Sequence, residues 1–289
     1  MTGATGFLGS NLLQRFLEHP EIDKVTIIKR SFSDLRRIQN ASKIFDHFNI
    51  DQTQITELFK DRTYDAIVHC ATNYGQRMES CAEVIDSNLV LPLKLLEQGV
   101  NNGVRVFINS DTILDKNVSD YSLSKRQFRE WLESFSDRIR CINLSLEHFY
   151  GPGDNNTKFV TDIIHRLLMK VPSIDLTEGK QTRDFIYIED VVDAFLLLLL
   201  KQEPHSAGYT NFEIGTGHSM AIKDFVSLAK EYCMNNETQL NFGAIPYRPH
   251  ELMQVKIDTT ALNALGWSPK WDVEKGLKKS ISHERRLLA

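Results

Sequence analysis

Three glycines spaced three apart constrain this chain more than any other feature. Gly3-Ala4-Thr5-Gly6-Phe7-Leu8-Gly9 leads into Ser10-Asn11-Leu12-Leu13-Gln14-Arg15-Phe16-Leu17, where apolar residues recur at helical spacing. Residues without a Cβ let the backbone turn tightly, and they let a phosphate approach the amide groups at a helix N-terminus. The triplet therefore predicts a strand, a tight turn and a helix. Such a turn should follow a central strand of several apolar residues, yet only Met1 and Thr2 precede Gly3. Without that strand its neighbours would lose ladder partners in the sheet interior. The expectation is a natural protein that begins several residues earlier, with an apolar β-branched run before Thr2.

Downstream, apolar runs of strand length alternate with segments of helical period. Strands are expected at 25–28, 65–71, 105–109 and 140–144, and helices at 55–59, 88–96 and 121–135. The run at 65–71 is almost continuously apolar, as a parallel strand covered on both faces should be. This alternation predicts an α/β fold, a Rossmann-like doubly wound parallel sheet, over residues 1–150. After Gly151-Pro152-Gly153 the pattern loosens into helices at 159–169, 188–200 and 225–232, separated by loops. Residues 151–289 are expected to form mainly a smaller, mixed α/β C-terminal substrate lobe, with some segments returning to the first half.

The 289 residues carry a net charge of −4, which gives no field for nucleic acid or an anionic membrane surface. Cys70, Cys81, Cys141 and Cys233 are scattered without metal-ligand spacing, so reduced thiols in a cytoplasmic protein are expected, and no metal. The apolar run from Ala194 to Leu200 is too short to span a bilayer.

Two further clusters carry chemistry. The strand expected at 25–28 ends in Lys29-Arg30-Ser31, with no acid. A carboxylate there would grip a ribose 2′-hydroxyl, whereas a basic residue accommodates a 2′-phosphate. Arg30 and Ser31 therefore predict NADP rather than NAD, with Arg36 and Arg37 nearby. Tyr121 and Lys125 stand four apart on an expected helix and share a face. An adjacent ammonium would lower the phenol pKa and suit Tyr121 to proton transfer. Ser110, at the end of the strand expected at 105–109, would hydrogen-bond the same substrate oxygen.

Gly-x-x-Gly-x-x-Gly followed by Tyr121-Ser122-Leu123-Ser124-Lys125 resembles the extended short-chain dehydrogenase/reductase superfamily, with its NAD-dependent epimerase/dehydratase members. The resemblance implies a catalytic set of Ser110, Tyr121 and Lys125, with Lys125 also holding the nicotinamide ribose. It implies cofactor contacts at Gly3, Thr5, Gly6, Phe7, Leu8, Arg30, Ser31, Asp51, Ala71 and Thr72, besides Tyr121 and Lys125. His69, in His69-Cys70-Ala71-Thr72, reads more simply as a satisfied buried histidine. In 4,6-dehydratases of the family an Asp-Glu pair eliminates water. Here the pair is Asp111-Thr112, and threonine is no base near neutral pH, so dehydration is disfavoured.

Leu146-Glu147-His148-Phe149-Tyr150-Gly151-Pro152, Lys158-Phe159, Gln181-Thr182-Arg183-Asp184-Phe185 and Tyr247-Arg248-Pro249-His250-Glu251 resemble the family's sugar-nucleotide segments. They imply substrate contacts at His148, Lys158, Phe159, Arg183, Arg248 and Glu251, together with Tyr74 and Asp111. Two arginines can fork onto a diphosphate. In detail, Ala71-Thr72-Asn73-Tyr74-Gly75 and Phe242-Gly243-Ala244-Ile245-Pro246 are similar to NADPH-dependent reductases of CDP-linked 3,6-dideoxyhexuloses, which make sugars for surface polysaccharide. The reading is thus reduction of the 4-keto group of a nucleotide-diphosphate sugar by a cytoplasmic homodimer. A sugar-nucleotide 4-epimerase and a non-catalytic NADP-binding regulator are the alternatives.

Overall fold

The computed structural model describes residues 1–289 except 42, 44, 77, 202–206 and 289. The chain forms two compact units, Met1–Leu146 with Val192–Phe212, and Glu147–Val191 with Glu213–Ala289.

The first unit is built on a parallel sheet. Its strands are β1 (Thr26–Lys29), β2 (Asp46–Asn49), β3 (Ala66–His69), β4 (Val106–Thr112) and β5 (Arg140–Leu146). β1 pairs with β2, β3 with β4 and β4 with β5, all in parallel. The strand Gly208–Ile214 lies on the far side of β5. Between β1 and β3, Met1 and Thr2 occupy the place where a full strand was expected. Ile28 N donates to Met1 O at 2.7 Å and Thr2 N donates to Val68 O at 3.0 Å. Thr2 is bridged in parallel to both Ile28 and His69, so one rung joins the two halves of the sheet.

The helices are α1 (Phe7–Glu18), α2 (Cys81–Ile85), α3 (Leu91–Asn101) and α4 (Asp120–Phe135). α1 buries Leu12, Leu13, Phe16 and Leu17, the apolar positions of its helical pattern. Phe107 of β4 and Phe128 of α4 meet with ring centroids 5.8 Å apart, in a cluster with Ile67, Leu95, Leu96, Leu132 and Cys141. Burying one such side chain contributes about 1.5–3 kcal/mol, and this cluster seats α4 against the sheet.

Three elements depart from the sequence expectation, two of them for local reasons. The strand foreseen at 105–109 continues through Ser110, Asp111 and Thr112, because polar residues there are buried and paired to β5 rather than released into a loop. The segment foreseen as a helix at 55–59 is a single 3₁₀ turn, Ile55–Leu58. The helix foreseen at 88–96 starts earlier, at a Ser80 capping box with Glu83, and then widens into a π-helical turn at Asp86–Val90. Pro92 explains the widening. It has no N–H for the carbonyl of Asn88 four residues back, and its ring crowds that carbonyl.

In the second unit, His148–Tyr150 runs parallel to Phe185–Tyr187, and Ser173–Leu176 runs parallel to Gln239–Phe242. Thr182–Arg183 pairs antiparallel with Met220–Ala221. These strands have two to four residues, too short for an alternation to show in sequence. Helices Phe159–Leu168, Ile222–Tyr232 and Val273–Leu288 accompany them. Phe185 stacks on Phe225 at 3.8 Å between centroids.

The glycine turn is tight enough to rank two substitutions. Gly3 has φ +69°, and a Cβ on Gly9 would lie 2.0 Å from Gly3 O, whereas one on Gly6 would meet that oxygen at 3.3 Å. Gly9→Ala should therefore lower stability by about 1–3 kcal/mol, the cost of overpacking, and Gly6→Ala by less. Urea denaturation of both variants checks this; equal losses would show that the turn can relax.

Candidate active site

The cradle at the start of α1 is made of backbone. A Cβ on Gly3 would collide with Cys70 C at 2.5 Å and Ala71 N at 2.6 Å, so the turn packs directly on the chain leaving β3. Gly6 caps α1 without a side-chain hydrogen bond, and the first turn has no acidic residue. The helix thus begins without a side-chain cap or an acid in its first turn, and the positive end of its dipole suits a pyrophosphate. Thr2 Oγ1 accepts from Cys70 N and Ala71 N, both at 3.1 Å, and lies 2.9 Å from His69 Nδ1. His69 is fully buried near the rings of Phe107 and Phe128. Burial holds its pKa well below the usual value, with Lys125 acting in the same direction. Only half of the satisfied-histidine expectation holds, since Nε2 has no partner among the described residues.

At the end of β1 the basic cluster is partly committed. Lys29 Nζ donates to Asn49 Oδ1 at 2.8 Å, and Arg36 Nε donates to Asp34 Oδ2 at 2.8 Å. Arg30 is exposed, its guanidinium 4.8 Å above the Phe32 ring. Ser31 and Asp51 come together. Ser31 N and Oγ donate to the Asp51 carboxylate at 2.7 and 2.6 Å, and the Ser31 hydroxyl bond leads the causes that hold Asp51 below its usual pKa. Thr5, Ala71 and Thr72 are half-buried, while Phe7 and Leu8 are buried.

Ser110, Tyr121 and Lys125 are brought together by β4 and α4. A Ser119–Ser122 capping box fixes the start of α4, which sets Tyr121 in its first turn. Lys125 is 1% exposed, and its Nζ donates to Ser110 O at 2.9 Å. Burial pushes Lys125 below its ordinary pKa, opposed by Asp111 and Cys70. The Ser110 side chain bonds the Cys70 thiol, which burial pushes up to about 12. The expected lowering of the Tyr121 phenol does not occur in this arrangement. Burial pushes it well above its usual value, Tyr74 and Asp111 add to the rise, and a hydrogen bond with the Thr112 side chain opposes it. Lys125 directs its ammonium at a carbonyl, and desolvation dominates the phenol.

Tyr74 lies over Tyr121, with ring centroids 4.9 Å apart. Asn88, in the π-helical turn, holds that loop in place. Its Nδ2 donates to Asn73 O at 2.8 Å and to Ser124 Oγ at 3.0 Å, and its Oδ1 accepts from Asn73 N at 2.8 Å. Ser124 Oγ in turn donates to Tyr121 O at 2.8 Å. Sequence reasoning missed Asn88; the signal was an asparagine four residues before a proline inside a helical pattern. It also missed Arg129, one turn beyond Lys125 on the same face of α4. Asp111 is fully engaged away from the Ser110 hydroxyl. Side chains alternate along β4, and the Asp111 carboxylate accepts from Arg129 Nε at 2.7 Å, Asn143 Nδ2 at 2.8 Å and Thr112 N at 2.7 Å.

In the second unit Arg183, Arg248 and Glu251 meet. Arg183 is buried, pairs with the Glu251 carboxylate and donates to Leu252 O at 2.6 Å and Thr182 O at 2.7 Å. Arg248 Nε donates to the other Glu251 oxygen at 3.1 Å and is largely exposed. The fork of Arg183 is thus occupied by Glu251 and two carbonyls, which leaves Arg248 as the more accessible cation. His148 Nδ1 lies 3.1 Å from Glu147 Oε1. Lys158 occupies the N-cap position of the helix Phe159–Leu168 without a side-chain capping bond, with its pKa lowered by burial and Asp154 acting against that. Phe159 faces Phe225 at 6.4 Å between centroids. No cluster of metal-ligating side chains is found among the described residues.

Residues 1–215 match the NAD dependent epimerase/dehydratase family. The chain is 32% identical to CDP-abequose synthase of Salmonella typhimurium over 97% of its own length and 96% of the relative's. It is 34% identical to the enzyme of the same name from Salmonella muenchen, over 98% and 96%. Among solved structures it resembles in fold the UDP-glucose 4-epimerase of Thermotoga maritima with UDP-glucose, with a TM-score of 0.85 at 24% identity, covering 100% of this chain and 98% of that one.

Asn88→Ala would strand the buried polar groups it now pairs, at about 1–3 kcal/mol for an unsatisfied group. The expected result is that loss in urea denaturation, with faster hydrogen exchange at residues 72–75. Unchanged exchange there would mean that the loop is held by other contacts.

Proposed function

This chain is an enzyme of the NAD dependent epimerase/dehydratase family, and within that family we propose that it is an NADPH-dependent 4-ketoreductase of a CDP-linked deoxyhexulose, in the synthesis of sugars for surface polysaccharide. The observation that carries the reading is the set of groups around Tyr121. The side chain beside its phenol is Thr112, which is no base near neutral pH, and the neighbouring carboxylate, Asp111, is bound by Arg129, Asn143 and the Thr112 amide. That set offers a proton donor and no free carboxylate for eliminating water. The near full-length likeness to two CDP-abequose synthases supports the same choice.

The cradle of Gly3, Gly6 and Gly9, with Thr5, Phe7, Leu8, Ala71 and Thr72 around it, fits a dinucleotide pyrophosphate. When bound, NADPH supplies the hydride for C4. Tyr121 gives its proton to the C4 oxygen; a phenol kept protonated by burial is a donor across neutral pH. The Ser110 hydroxyl hydrogen-bonds that oxygen and orients the keto group. Lys125 holds the nicotinamide ribose and ties the helix bearing Tyr121 to the strand bearing Ser110. Tyr74 covers the Tyr121 ring and borders the sugar. Arg248, with Arg183 and Glu251, receives the nucleotide diphosphate, and His148, Lys158 and Phe159 line the substrate. Arg30 would select the 2′-phosphate, and Ser31, whose amide and hydroxyl are held by Asp51, would border the adenosine with it. The enzyme works in the cytoplasm as a homodimer through α3 and α4, the latter with Leu123 and Trp131 exposed. Among the described residues no helix is long and apolar enough to cross a membrane.

Purified protein should oxidise NADPH stoichiometrically with a CDP-4-keto-3,6-dideoxyhexose. Sugar isomerisation without net NADPH loss would make it an epimerase, and cofactor binding without turnover of any CDP-, dTDP- or GDP-ketosugar would make it a regulator. Tyr121→Phe should keep NADPH affinity and lower kcat by roughly 10² to 10⁴, the range for a lost general acid; wild-type turnover would remove Tyr121 from the mechanism. Arg30→Ala should weaken NADPH by about 1.5–3 kcal/mol, the scale of a charged hydrogen bond, and leave NADH nearly unchanged. Equal losses in calorimetric titrations would show that Arg30 does not read the phosphate.

A further inference from the structure

Tyr121, Lys125 and Arg129 follow one another at i, i+4 and i+8 along α4 and share a face. Each reaches the last three residues of β4. Tyr121 bonds the Thr112 side chain, Lys125 Nζ donates to Ser110 O at 2.9 Å, and Arg129 Nη2 donates to Thr112 O at 3.2 Å. Arg129 also pairs with the fully buried Asp111 carboxylate, at 2.7 Å from Nε and 2.6 Å from Nη2. The same carboxylate accepts from the Thr112 amide, so it closes a loop around the end of the strand.

Behind this contact lies a polar ladder across three neighbouring strands. Asn109 Nδ2 donates to Asn143 Oδ1 at 2.7 Å. Asn143 Nδ2 donates to Asp111 at 2.8 Å and to Asn211 Oδ1 at 2.7 Å, and Ser145 Oγ donates to Asn211 Oδ1 at 2.9 Å. Arg129 Nη2 reaches Ser145 Oγ at 3.3 Å. Interior strands of parallel sheets are ordinarily apolar, and a buried charge pair is weak as a source of stability. A network of this kind placed directly behind Ser110 and Thr112 fixes geometry instead.

We propose that Arg129 is a positioning residue for the reduction: its planar fork locks the end of β4 onto α4, so that the Ser110 hydroxyl and the Tyr121 phenol keep their mutual placement, and it holds Asp111 as a structural anion outside the chemistry. The kinetic consequence rests on the 4-ketoreductase reading; the structural one does not. Lysine can meet the carboxylate but cannot fork between it and the Thr112 carbonyl.

The test compares wild type with Arg129→Met, Arg129→Lys, the double variant Asp111→Asn/Arg129→Met, and Arg126→Met. Arg126 is an exposed control whose partner is Glu130. Five quantities are measured: NADPH affinity, kcat and KM with a CDP-4-keto-3,6-dideoxyhexose, melting temperature, and hydrogen exchange at residues 110–114 without substrate. Arg129→Met should bind NADPH within about twofold of wild type, keep KM within about threefold, and lose about 10- to 100-fold in kcat, the scale of a misplacement near 1 Å. Arg129→Lys should recover part of the loss. The double variant should regain melting temperature, because no charge is left buried alone, but not kcat. Exchange at 110–114 should quicken in Arg129→Met and stay unchanged in Arg126→Met. A double variant that restores kcat would reduce Arg129 to a neutraliser of Asp111 and overturn the proposal, as would unaltered exchange at 110–114. If the wild type turns over no ketosugar, the reductase reading fails, and the exchange measurement alone decides whether Arg129 is the lock.

Discussion

A buried ammonium must find oxygen, and in this protein that requirement ties helix α4 to strand β4. Desolvating a lysine costs several kcal/mol unless partners replace water. Lys125 meets it with the Ser110 carbonyl, a backbone group at a position where β4 is still paired to β5. The contact sets the depth of α4 against the sheet, and Phe128 against Phe107 sets its tilt one turn later. Tyr121 has little freedom once both are made. The surrounding groups conform: Asn88 brings the Tyr74 loop over the phenol, and Arg129 takes the carboxylate that would otherwise lie unpaired behind Ser110.

The glycine turn follows a different logic, since it depends on close approach of backbone to backbone. Gly3 rests on the chain after β3, and Gly9 rests on Gly3. The Thr2 hydroxyl gathers the amides of Cys70 and Ala71 into the same corner. Two residues thus join β1 to β3 and hold the chain at the mouth of α1, a large task for one rung of pairing.

Much of the first unit was legible because its elements are long and strongly patterned. The run at 65–71 and the helix at 121–135 appear close to where hydrophobic period put them. The continuation of β4 through Ser110, Asp111 and Thr112 was not legible, since polar residues read as a strand end unless their buried partners are known. The partners, Asn143 and Arg129, lie 32 and 18 residues away in sequence. The π-helical turn was concealed by its own regular apolar spacing, with Pro92 as the one overt sign. In the second unit the short strands carried no period at all. The pairing of Arg183 with Glu251 was also invisible, because each residue alone reads as a ligand contact and only the fold shows that they meet.

The most direct test of the central claim, that the Ser110–Tyr121–Lys125 seam serves net reduction at C4, follows the hydrogen itself. NADPH deuterated at the transferable position of the nicotinamide would be incubated with a CDP-4-keto-3,6-dideoxyhexose and the product read by NMR. The account predicts one deuterium at C4, one NADP⁺ formed per sugar, and loss of the label transfer in Tyr121→Phe on the same time scale. Deuterium at another carbon, or product formed with the label still on the nicotinamide, would contradict it.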